Sequence, residues 1–141
     1  MLPKTKLKTA YSSSYIARND AAPGYVYIFR QSGKGLVKIG LSRTPLVRKR
    51  YLQKDYGQLQ TVAIVWVFNM KFIESQMHKA YAPRRIRQEY WKSGFTEWFK
   101  TDFTTALEMR ICLYLLSFCM NSAVVFAIGS VIALILFLIL R

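Results

Sequence analysis

The sequence predicts a small α/β domain, a β-β-α-β-α core around a short antiparallel sheet flanked by helices, followed by one C-terminal transmembrane helix. Three observations carry this reading. Aromatic and β-branched runs broken by glycine turns fill residues 24–68, apolar residues recur at three- and four-residue spacing between Met70 and Tyr81, and an uncharged apolar stretch occupies residues 111–140.

The first 23 residues mix Lys, Ser, Ala and Pro without an apolar period and read as a basic flexible arm. Folded structure is expected from Gly24. Tyr25-Val26-Tyr27-Ile28-Phe29 and Leu36-Val37-Lys38-Ile39-Gly40, joined through Gly33-Lys34-Gly35, form a β-hairpin. Pro45 suits the first turn of a helix whose apolar positions are Leu46, Val47, Tyr51 and Leu52, and which ends near Tyr56-Gly57. The run from Thr61 to Phe68 is almost continuously apolar, as a central strand buried on both faces would be. Phe72 or Ile73, Met77 and Tyr81 then mark a second helix, closed by Pro83. A short strand is expected over residues 95–100, with Thr101-Asp102 as the cap of a helix starting near Phe103.

Residues 111–140 contain no Asp, Glu, Lys or Arg. A bilayer core about 30 Å thick needs about 20 apolar residues in a helix, and the segment from Ser122 onward meets that length. The domain boundaries that follow are 1–23 for the arm, 24–101 for the α/β domain, 102–120 for a connecting helix and 121–140 for the span. No charged region followed by an apolar one opens the chain, so no secretory signal is read there. The positive-inside tendency gives a single-pass membrane protein with its N-terminal domain in the cytoplasm. Cys112 and Cys119 both lie in the apolar tail and read as small apolar residues rather than a disulfide or metal site. Gly129 and Ala133 have a small-residue spacing that permits helix contact, a weak signal that leaves the oligomeric state open.

The formal charge is +14, from 21 Lys and Arg against 7 Asp and Glu, and every acid and all bases except Arg141 precede Ile111. A field of this sign favours polyanions, and DNA and anionic lipid satisfy it equally.

Specific residues narrow the choice. Val26-Tyr27 and Lys38-Ile39-Gly40 are eleven residues apart at their tyrosine and lysine; Arg48 follows Gly40 by eight; Glu74 and His78 form E-x-x-x-H; and Gly94-Phe95-Thr96-Glu97-Trp98-Phe99 forms G-x-x-E-W-F. In this order and spacing the motifs resemble the GIY-YIG nuclease superfamily, in its phage-type branch with K-I-G as second motif, often labelled a DNA-binding domain. Tyr25 stands where other members have Gly, and Lys38 where they have Tyr.

The resemblance implies a metal-dependent endonuclease. Glu74 would hold Mg²⁺ or Mn²⁺, Arg48 would clamp the phosphate, and Tyr27 would act as general base or position the water. Lys38 is the departure. Its ammonium would either contact phosphate, mark a domain that binds DNA and cuts poorly, or pack by its stem with a solvated head. His78, on the Glu74 face of its helix, would carry a proton or bond a backbone group. Trp98 and Phe99 read as core.

Outside these motifs, Arg43, Lys49, Arg50 and Lys54 surround the first helix, and Arg84, Arg85, Arg87 and Lys92 follow the second, interleaved with Tyr51, Tyr90 and Trp91. They suit phosphate contacts with occasional base stacking, and nothing encodes a target sequence. The expected function is a membrane-anchored DNA-binding protein with an endonuclease domain. The alternatives are an inactive DNA tether at the membrane and a lipid-binding membrane protein.

Overall fold

A computed structural model describes residues 22–86 and 97–139. The elements run β1 (Gly24–Gln31), β2 (Leu36–Ser42), α1 (Pro45–Tyr56), β3 (Leu59–Val67), α2 (Met70–Ala80), a 3₁₀ turn (Ala82–Arg84), β4 (Arg85–Ile86), β5 (Trp98–Lys100) and α3 (Phe103–Ile139). Five antiparallel strands make one sheet in the order β3-β1-β2-β5-β4.

The hairpin turns through Gly33 and Gly35, both at positive φ, which a side chain would oppose. Its register pairs Tyr27 with Gly40 and Phe29 with Lys38. Alternation then sends Val26, Ile28, Val37 and Ile39 to one face and Tyr27, Phe29 and Lys38 to the other.

The first face is covered by α2 and α3, whose Met70, Ile73, Met77, Met109 and Leu113 complete a core with Phe99. The second face carries Tyr27, Phe29, Leu59 and Trp98, covered by Leu52 and Tyr56 of α1. Each fully buried side chain of this kind contributes roughly 1.5–3 kcal/mol. Asn69 caps α2, its Oδ1 accepting from Phe72 N at 3.0 Å, and Asp102 caps α3 in the same way from Thr105 N at 2.7 Å.

Two expectations are corrected. The run around Thr61–Phe68 is an edge strand with exposed positions, not a central one. It reads as continuously apolar because α3 covers one face while Trp66, at its outer end, is left in the open. Leu46, Val47 and Tyr51 do not enter the core. The sheet receives α1 along only one narrow line, through Pro45, Leu52 and Tyr56.

The last helix is continuous over 37 residues. Thr105, Ala106, Met109, Leu113 and Ser117 form a buried stripe at three- and four-residue spacing, with Cys112, Leu116 and Met120 packed beside it. Beyond Asn121 no stripe exists and the apolar residues are exposed almost all round, in a helix long and apolar enough to cross a membrane. Cys112 and Cys119 are free thiols.

Candidate functional site

On its β5 side the pairing of β2 runs to Lys38 opposite Trp98, and among the described residues the main-chain bond from Ile39 N to Glu97 O (3.2 Å) extends it by one step. The motif residues gather beside this point. Tyr27 and Lys38 come from the central hairpin, Arg48 from the first turns of α1, Glu74 and His78 from α2, and Glu97 from the residue before β5.

Tyr27 is buried, stacked on Phe29 at 4.2 Å between centroids, with its hydroxyl bonded to Arg48. Burial pushes its phenol far above the ordinary value, and the Arg48 cation opposes this only partly. The ring lies across Gly40, where an added Cβ would stand 2.5 Å from the tyrosine oxygen, which explains the glycine of the second motif.

Lys38 is wholly buried and its Nζ donates to Glu97 Oε2 at 2.5 Å. Desolvation lowers the lysine pKa while Glu97 opposes the fall. For Glu97, burial would raise the carboxyl, but the Lys38 ammonium, with help from His78 and Arg48, brings it below the usual range. Of the roles weighed for Lys38, the solvated head is excluded: its ammonium anchors Glu97 just before β5. Glu97 entered the sequence reading only as a motif letter, and its spacing of one residue from Trp98 was the available signal.

Glu74 is also buried, and its pKa is raised by desolvation and by the neighbouring Glu97 carboxylate, against Lys71 at 3.1 Å and Lys38. His78 donates from Nε2 to Ile39 O at 3.1 Å, since a carbonyl only accepts, so the neutral ring keeps an unprotonated Nδ1. Burial lowers its pKa and keeps it neutral. Its ring meets Phe99 edge-on at 5.2 Å, and Arg85 Nη2 donates to its main-chain oxygen at 3.3 Å.

Among the described residues no three His, Cys, Asp or Glu side chains stand close enough to cage a metal. The Glu74 carboxyl, raised by burial and by the Glu97 carboxylate, is the group that could hold a hard cation keeping most of its waters and taking further oxygens from phosphate.

The basic residues divide. Arg43, Arg50, Lys54, Arg84 and Arg85 are exposed, whereas Lys49 is half-buried, bonded to Thr61 Oγ1 at 3.0 Å. Lys54 lies over the Tyr51 ring at 5.2 Å. Arg87, Lys92, Tyr90, Trp91, Arg141 and residues 1–21 lie outside the described residues.

Fold and site thus define a small α/β domain with an ionisable cluster beside the β2–β5 pairing and a long apolar helix behind it. The chain belongs to the T5orf172 domain family, whose model matches residues 24–114. This match corrects the GIY-YIG assignment drawn from the five motifs. The departures at Tyr25 and Lys38 are where the pattern already parted from that family, and the roles of Tyr27, Arg48 and Glu74 now rest on their geometry. No curated protein and no solved structure shows significant similarity to the chain.

Proposed function

We propose that the domain binds DNA and hydrolyses a phosphodiester at the Tyr27–Arg48–Glu74 cluster while held at the cytoplasmic face of a membrane by α3. The observation that carries the reading is the convergence of ionisable groups from separate elements around Glu97, with pKa values displaced in both directions. Membership of the T5orf172 family is consistent with DNA binding.

In this reading Arg48 grips two phosphate oxygens with its planar fork. The Tyr27 hydroxyl, held protonated by burial, acts as a hydrogen-bonding group that orients the phosphate or the attacking water, and not as a resting base. The Nδ1 of neutral His78 accepts the proton. A hydrated Mg²⁺ or Mn²⁺ held by Glu74 would supply a polarised water and neutralise charge on the phosphoryl oxygens. The positive-inside tendency supports the cytoplasmic placement.

A second reading is favoured by Lys38. With its ammonium committed to Glu97, the site has one fewer cation for the transition state, as suits a domain that binds without cutting. Purified full-length chain in detergent, tested with supercoiled plasmid in Mg²⁺ and in Mn²⁺ beside a parallel gel shift, separates the two. Nicking that Glu74→Ala abolishes supports hydrolysis. Salt-sensitive binding that survives EDTA, with wild type and variant equally unable to cut, selects the tether.

A further inference from the structure

Where the apolar helix leaves the domain, it is bolted to the sheet. Asn121 Nδ2 donates to Trp66 O at 3.2 Å and its Oδ1 accepts from Phe68 N at 3.4 Å, so one side chain ties α3 to the end of β3. Packing against the core continues up to Met120, and the exposed apolar segment starts at the next turn. Residues 122–139 rise about 27 Å at 1.5 Å each, close to the thickness of a hydrocarbon core. No linker separates domain from span, and an unbroken α-helix does not swivel at its middle without breaking main-chain bonds.

This fixes which part of the domain meets the bilayer. It is the end of the sheet beside Asn121, and that end is aromatic. Tyr25 stands opposite Trp66 in the β1–β3 register, Trp66 meets Phe68 edge-on at 4.8 Å, and Phe72 lies in the first turn of α2 directly after the strand. Tyr25, Trp66 and Phe72 remain 36%, 42% and 48% exposed. Lys71, between the strand end and Glu74, is also exposed. Aromatic rings with a polar edge, beside a cation on a long stem, are the chemistry that partitions into a lipid headgroup layer.

We propose that Tyr25, Trp66, Phe68 and Phe72 form a bilayer-interface surface, seated in the headgroup layer by the helix that Asn121 locks to the sheet. The proposal rests on the membrane reading of α3. It sets the domain's orientation. Arg85, level with Phe99 and hence with Val37, lies five residues along β2 from Ser42 at the membrane end, about 17 Å away at 3.4 Å per residue. The exposed cations Arg84 and Arg85 are thereby presented away from the membrane, where a DNA backbone can reach them.

The test uses the full chain reconstituted in phosphatidylcholine–phosphatidylglycerol vesicles, with or without bromine on the acyl carbons just below the headgroups. Bromolipid should quench tryptophan fluorescence, Trp66→Phe should remove most of that quenching, and adding Phe72→Trp to Trp66→Phe should restore it. If the washed vesicles retain the chain and Trp66 contributes no quenching, or responds to an oligonucleotide instead of lipid, the surface is not a membrane contact although the span stands. If the chain is absent from the washed vesicles, the membrane reading itself fails and the surface falls with it.

Discussion

Lys38 and Glu97 form an ion pair 2.5 Å long in which the lysine is wholly buried and the glutamate only partly so. A buried ammonium without a partner is far more costly than the same pair replaced by apolar groups. Glu97→Gln should therefore destabilise the chain by about 2–4 kcal/mol, discounted from the fully buried case because Glu97 reaches solvent. Lys38→Met should cost less, and the double variant should recover much of the Glu97→Gln loss. Denaturant unfolding of the full chain in detergent measures all three. Because the folded Glu97 pKa is depressed, its contribution is present above the ordinary carboxylate range and disappears as pH falls through the folded value. A pair whose contribution did not fade in acid would contradict this.

Glu74 has the opposite sign. Its raised pKa means the folded state prefers the protonated form, so its contribution is complete below the ordinary carboxyl value and is lost as pH rises through the folded one. Glu74→Gln should raise stability at neutral pH, with the gain shrinking in acid. The same variant should not nick plasmid. A destabilised Glu74→Gln would show that the Lys71 pair outweighs burial.

Gly40→Ala tests the close approach of the two motif strands. The new Cβ would meet Tyr27 Oη at 2.5 Å and Cζ at 2.7 Å, and the ring is held by its stacking on Phe29. A cost of about 1–3 kcal/mol follows from such overpacking. Tyr27→Phe in the same chain should relieve only part of it, since the Cζ contact remains. Thermal unfolding reads both.

DNA affinity should fall linearly with salt on logarithmic axes. Each phosphate neutralised contributes a slope of about −0.9, so removing Arg84 and Arg85 together should flatten the slope by about 1.8 if both contact the backbone. Fluorescence-anisotropy titrations with unrelated duplexes should show the same loss for every sequence. A variant whose slope matches wild type would remove these arginines from the interface.

Replacing Ala133 and Leu134 with Arg places two charges in the exposed apolar half of α3, at roughly 2.5–3.5 kcal/mol each for a mid-bilayer position. The variant should leave the carbonate-washed membrane pellet, while the buried stripe from Thr105 to Ser117 keeps the domain folded and DNA-binding. Retention in the pellet would count against a span.

The sequence alone determined the order of the main elements, because local chemistry marks them: glycines between β-branched runs, Pro45 at a helix start, Asp102 as a cap, and the uncharged tail. It also brought Tyr27, Lys38, Arg48, Glu74 and His78 forward by spacing. Only tertiary structure decided what each touches there. Leu59–Val67 is an edge strand because strand order depends on which long-range pairs form, and apolar content does not report it. Leu46, Val47 and Tyr51 stay exposed because α1 docks along a single line, a matter of approach angle and not of composition. The partnership of Lys38 with Glu97 joins residues far apart in the chain through the β2–β5 register; burial then sets the sign of the pKa shift at Tyr27, Lys38, Glu74 and His78, while the Lys38 ammonium reverses it at Glu97. The helix that reads as an anchor also carries a core stripe along its first half, because the same apolar residues suit a protein interior and a lipid one, and only packing against the sheet shows that the stripe ends before Asn121.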